Sequence, residues 1–199
     1  MARAPVPGGC KTRLEPRLGP EGCARLQAAL IRLTLAAASE FAPGRVVVAH
    51  DGPVEADAVL VAQRGQEPAE RLAAAAADAH ERFGGPLVIV GTDLPRLTTV
   101  HLALAVDDLA AGADVAFGST YAGGFYLVAT QDPRPELFSI PAADRGGPAM
   151  LARLLAATQA AGLEVGMLRM ERELETPADA DALLADPLLP EAIRAVLTA

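Results

Sequence analysis

Pro7 to Arg13 read PGGCKTR: two glycines, then a lysine, a hydroxyl and an arginine. Gly8 and Gly9 would let backbone amides approach an anion, and Lys11, Thr12 and Arg13 would bind and neutralise it. The alternative for these cations is a solvated face. GTDLP directly follows the apolar run LVIV and places Asp93 at its carboxyl end. A carboxylate at the carboxyl end of a buried strand is placed to hold Mg²⁺ or Mn²⁺, hard cations that bridge to phosphates. The alternative is a cap on the next helix. In STYAGGFYLV, Gly123 and Gly124 would admit a ligand to the backbone, and Tyr121, Phe125 and Tyr126 could stack on a base or sugar; a hairpin turn explains the glycines equally well. In ERELETPAD, Glu173 or Glu175 could supply a second metal ligand, or be acids favoured near a helix N-terminus. His50, His80 and His101 fall into no catalytic signature. Cys10 and Cys23 form no metal-ligand cluster and read as packing residues.

Elements that would position these residues alternate along the chain. Apolar residues at helical spacing predict a helix over 20–41, closed by Pro43-Gly44. The runs 45–50 and 58–63 predict short strands, and 67–83 an Ala-rich helix. Leu87–Gly91 is the clearest buried strand. A helix from Thr98 or Thr99 to about Ala111, strands over 113–118 and 124–130, a helix over 146–161 and a strand over 164–170 follow. Thr176-Pro177 opens a capped helix, and 190–198 forms the last. The alternation predicts a single α/β domain with a largely parallel sheet, whose ligands bind beyond the carboxyl ends of the strands.

Composition narrows the function. The 199 residues are 51% hydrophobic, enough to bury a core of Ala, Leu and Val, since aromatics reach only 4% and Trp is absent. A net charge of −8 disfavours a nucleic-acid partner. A small phosphorylated ligand is still possible, because Arg3, Lys11, Arg13, Arg17 and Arg25 cluster in the first 25 positions and Lys11 is the only lysine. No apolar run reaches the roughly 18 residues of a membrane span. With two thiols and no signal-peptide core at the N-terminus, the expectation is a reduced, cytoplasmic protein without a membrane partner.

Taken in order, APVPGGCKTRL, QRGQEPAERL, VIVGTDLP, AGGFYLV and ELETPADADAL resemble the bacterial DUF2064 proteins, a glycosyltransferase-like family also called radical-SAM/selenodomain-associated transferase 1. These are similar to 2-phospho-lactate guanylyltransferases and, more distantly, to molybdenum-cofactor guanylyltransferases. The resemblance spans nearly the whole chain, with KTRL and GTDLP its most specific parts. It implies one GT-A domain over 1–199, the three-layer nucleotide-diphosphosugar transferase variant of the doubly wound sheet. Lys11 and Arg13 would contact nucleotide phosphates, Asp93 would hold the divalent ion, and Gly123-Gly124 would line the substrate side.

Departures stand beside these matches. Ala122 occupies the place of an acid in the usual Asp-Gly-Gly-Tyr, and Glu173-Leu174-Glu175 replaces Asp-x-Asp. Glu67-Pro68-Ala69 replaces Asp-Leu-Gly, and Ala142 a Trp. Relatives also carry an apolar first strand of which only Met1 to Ala4 remain. The expectation is a natural start roughly 5–15 residues upstream, about one strand's length; the alternative is a stub that pairs in a gapped sheet. The resulting reading is a metal-dependent transferase that takes a nucleotide or nucleotide-sugar and a small-molecule acceptor. Nucleotidyl transfer with release of pyrophosphate is the first alternative. A catalytically weakened nucleotide-binding protein is the second. In each, removing Lys11 from an exposed loop would cost nucleotide affinity and little stability.

Overall fold

A computed structural model describes residues 1–138 and 150–199. The chain divides into two compact units. One comprises Ala2–Ala62, Gly91–Thr99 and Arg172–Ala199; the other comprises Met1, Gln63–Val90 and Val100–Glu171.

The first unit is built on helix α1 (Glu15–Phe41). Its regular part begins where the apolar spacing predicts, because Gly19 adopts φ 66° and Pro20 restarts the helix. A residue before proline is disfavoured in the α region, and glycine reaches positive φ at little cost. One face of α1 supplies Cys23, Leu26, Ala29 and Leu30, all buried with Leu14, Leu174 and residues of two later helices, α5 (Pro177–Leu184) and α6 (Glu191–Leu197). Another part of its surface, Ile31 and Leu35, packs with Ala2 and Val48. Strands β1 (Val47–His50) and β2 (Val59–Ala62) pair in parallel. Ala2 forms a parallel bridge to His50, its N–H donating to the Ala49 carbonyl at 2.8 Å. The N-terminal residues thus pair beside β1.

The other unit holds a four-stranded sheet in the order β3 (Leu87–Val90), β5 (Phe125–Thr130), β4 (Val115–Thr120), β6 (Val165–Glu171). β4 and β6 run parallel, whereas β5 is antiparallel to both its neighbours. The sheet is therefore mixed, and the reason is local: β4 and β5 are joined by the tight turn around Gly123-Gly124, and such a turn can only join antiparallel strands. Val115, Phe117 and Val128 pack with Leu137 and Phe138, with Leu154 of α4 (Met150–Ala160) and with Ala69 and Leu72 of α2 (Pro68–Phe83). α3 (Thr99–Ala110) approaches β6 closely enough that a Cβ on Gly166 would lie 2.8 Å from the Asp108 Cβ. The predicted helix over 146–161 appears as Met150–Ala160, its earlier part lying outside the described residues together with Ala142.

Candidate functional site

The first unit brings Lys11, Asp93 and Glu175 together. The Lys11 Nζ donates to Asp93 Oδ1 at 2.5 Å, to Glu175 Oε1 at 2.7 Å and to the Leu174 carbonyl at 2.8 Å. An ammonium has three protons, and all three are used. The Lys11 side chain is 2% exposed, while Asp93 and Glu175 are 41% and 29% exposed. The cation is thus the buried floor of the cluster, and the two carboxylates are its wet rim. Burial pulls the Lys11 pKa down, but Asp93 and then Glu175 more than offset it, and the net shift is upward.

Each arm of the cluster is fixed by the surrounding chain. Pro7-Gly8 form a turn in which the Gly9 N–H donates to the Val6 carbonyl at 2.9 Å, with Gly8 at φ 74°. That is the geometry in which proline and glycine are favoured at the two central positions. Lys11 follows at φ 50°, ψ 34°, left-handed for a residue with a Cβ, and its carbonyl accepts from the Cys23 Sγ at 3.3 Å. Gln27, 2% exposed, donates to the Arg3 carbonyl and to Thr92 Oγ1, both at 3.1 Å, and so steadies the residue before Asp93. The Leu174 N–H donates to the Asp93 carbonyl at 2.9 Å. Leu174 is fully buried, which turns its neighbours Glu173 and Glu175 toward the surface. Thr176 then starts α5 with a reciprocal cap to Asp179.

These facts decide between several alternatives. Asp93 is no cap for the following helix, which begins only at Thr99. The cap of α5 is Thr176 with Asp179, so Glu175 is free to serve Lys11. Lys11 itself is corrected: it does not stand in an exposed loop presenting its charge outward. Three acceptors and burial hold it inward. Thr12 and Arg13 are exposed, as are Gly8 and Gly9. The Arg13 side chain has no hydrogen bond or ion pair among the described residues. It is the cation of the KTR stretch available to an anion.

Gly123, Gly124 and Tyr126 belong to the other unit. The Thr120 N–H donates to the Gly124 carbonyl and the Gly123 N–H to the Thr120 carbonyl, both at 3.0 Å, so the glycine pair closes a hairpin. Gly123, at φ 87°, is where glycine is needed. Tyr126 is corrected as a stacking residue: it is 4% exposed, its ring lies over Gly118, and its hydroxyl donates to the Arg169 carbonyl at 3.3 Å. Burial, then the nearby Glu171, pushes its pKa up to about 12. Ala122 and Tyr121 are exposed on the same turn.

Sequence reading missed Gln27 and the Leu174 carbonyl. The signal for Gln27 was present: Cys23, Gln27, Leu30 and Thr34 recur at helical spacing, which puts an amide on a buried stripe. A backbone carbonyl carries no such signal.

Among the described residues, no group of three or more His, Cys, Asp or Glu is arranged to hold a metal ion. The donors that exist still fit a hard divalent cation of the kind held by one or two carboxylates plus substrate phosphates. Asp93 and Glu175 each commit one oxygen to Lys11 and keep the other. Among the described residues, no helix is long and apolar enough to cross a membrane.

The fold has a solved counterpart. A protein of Desulfovibrio desulfuricans G20, described as a "putative nucleotide-diphospho-sugar transferase", superposes with a TM-score of 0.85 at 22% identity, over 99% of this chain and 91% of that one. At that identity the likeness establishes the fold, an α/β architecture as the sequence resemblance implied, with the β3–β5–β4–β6 sheet mixed rather than largely parallel. No protein of curated function matches. The family model of DUF2064, "Uncharacterized protein conserved in bacteria", matches residues 23–141, more than half of the sequence, and the chain belongs to that family.

Proposed function

We propose that the chain is a transferase that acts on a nucleotide-diphosphosugar and passes the sugar to a small-molecule acceptor. The observation that carries this reading is the rimmed cluster: two half-wet carboxylates on a buried ammonium, beside an uncommitted arginine. The fold match supports it by analogy only, since one fold hosts many reactions.

In this reading Asp93 and Glu175 hold Mg²⁺ or Mn²⁺ by the oxygens that Lys11 leaves free. A divalent ion there supplies charge neutralisation for the leaving diphosphate. Arg13 meets the phosphates, with Thr12 and the Gly8-Gly9 turn beside it. Lys11 acts through the carboxylates rather than on the substrate. The acceptor hydroxyl forms the new bond to the sugar carbon while the bond to the diphosphate breaks. Glu175 is the weaker of the two ligands, because its longer side chain must be frozen to reach the ion.

The test is incubation with labelled nucleotide-sugars, with and without Mn²⁺, and detection of released nucleoside diphosphate. Release of pyrophosphate from a nucleoside triphosphate, only with an acceptor present, assigns nucleotidyl transfer instead. A second reading has its own support. Lys11 bonds both carboxylates, and Ala122 offers no acid on its turn. Nucleotide binding with no turnover, unchanged in Ala122→Asp, assigns a non-catalytic binding protein.

A further inference from the structure

We propose that Lys11 keeps the Asp93–Glu175 pair from taking up a divalent cation alone, so that the cation enters only as its complex with a diphosphate. This rests on the reading above that the two carboxylates are the cation's ligands.

The first argument is charge. Two carboxylates would present −2 to an incoming ion, but the Lys11 ammonium contacts both, at 2.5 and 2.7 Å, and reduces the cluster to −1. The second is ligand count. Each acid has one oxygen engaged, and no third His, Cys, Asp or Glu completes a metal-holding group among the described residues. An octahedral cation would find two protein oxygens and water. The third is that Lys11 cannot step aside. Its third proton is on the Leu174 carbonyl, its own carbonyl is held by Cys23, and its side chain is 2% exposed. A diphosphate supplies what the protein withholds: more oxygen ligands for the cation, and negative charge for the exposed Arg13. A free cation therefore meets a half-neutralised pair, whereas a cation–diphosphate complex meets matched partners.

The experiment is equilibrium dialysis of the full chain against Mn²⁺, with uptake read as the excess of Mn²⁺ on the protein side, so that binding of the ion by free diphosphate cancels. It has four arms: Mn²⁺ alone, and Mn²⁺ with GDP, UDP or inorganic pyrophosphate. In the wild type, saturable uptake of Mn²⁺ alone is expected no tighter than about millimolar, and at least one diphosphate should tighten it by about tenfold or more. In Lys11→Met, Mn²⁺ alone should bind at least about tenfold tighter than in wild type. Wild-type uptake of Mn²⁺ as tight alone as with every diphosphate overturns the proposal but leaves the site a metal site. A folded Lys11→Met that gains no affinity also overturns it. Absence of Mn²⁺ from every arm and both proteins overturns the assignment of Asp93 and Glu175 as ligands. If the variant does not fold, the comparison of wild-type arms decides.

Discussion

Asp93→Asn separates a buried charge cluster from a surface carboxylate. Removing one partner from a fully buried ion pair costs about 3–5 kcal/mol, because it strands the other charge. Three features of this site reduce that figure. Lys11 keeps Glu175 and the Leu174 carbonyl. The asparagine oxygen can still accept the Lys11 proton. Asp93 is 41% exposed, so solvent already screens part of its charge. About 1–2 kcal/mol remains. For a chain of this length each kcal/mol moves Tm by about 2–4 °C, which gives a fall of about 2–8 °C in a calorimetric scan at neutral pH. Glu175→Gln should behave similarly. The double variant should not: with both acids gone, the buried ammonium has only neutral acceptors, and the loss should exceed the sum of the single losses by more than about 0.5 kcal/mol. A helix-capping Asp93 predicts the opposite, since asparagine caps as well as aspartate. A single variant that melts with the wild type, or a double variant whose effects simply add, refutes the cluster as a stabilising unit.

Alkaline denaturation carries a second expectation. The Lys11 pKa is raised from 10.5 and that of Tyr126 is pushed up to about 12, so both favour the folded state at neutral pH and lose that contribution as pH rises through their folded values. Urea midpoints should therefore fall above about pH 10.5, and less steeply in Lys11→Met; a midpoint flat to pH 12 contradicts both shifts. A tyrosinate absorbance step near pH 12 should vanish in Tyr126→Phe. Gly118→Ala would drive a Cβ against Tyr126 Cζ, 2.7 Å from Cε1 and Cε2, and overpacking of that kind costs about 1–3 kcal/mol; the loss, read by urea unfolding, should shrink in the Tyr126→Ala background. Gln27→Leu removes both bonds, to the Arg3 carbonyl and to Thr92 Oγ1, and leaves the buried Thr92 hydroxyl without its Gln27 donor. It should cost about 1–3 kcal/mol in the same assay.

Most elements were legible because their signals are local. Val47–His50 and Leu87–Val90 are short apolar runs between turn residues, and Thr176-Pro177 announces α5 through a cap and a first-turn proline. The mixed sheet was less legible: the direction of β5 hangs on whether Gly123-Gly124 makes a hairpin or a ligand loop, and the local sequence fits both. The site shows the same division more sharply. Lys11, Asp93 and Glu175 were each recognisable as chemistry-bearing residues, but their partners are 82 and 164 positions apart in the chain. Spacing says nothing at that range about which charge faces which. A lysine after a glycine turn reads as a hand held out to phosphate, and only the acceptors around it show that the hand is already full. The consequence is chemical. On the proposed function, with the lone lysine committed to holding two acids, the anion falls to Arg13, and a variant that disarms Arg13 should lose nucleotide without losing stability. Arg13→Ala with unchanged nucleotide affinity in a titration would return the phosphate to another residue and break the division of labour between the two cations.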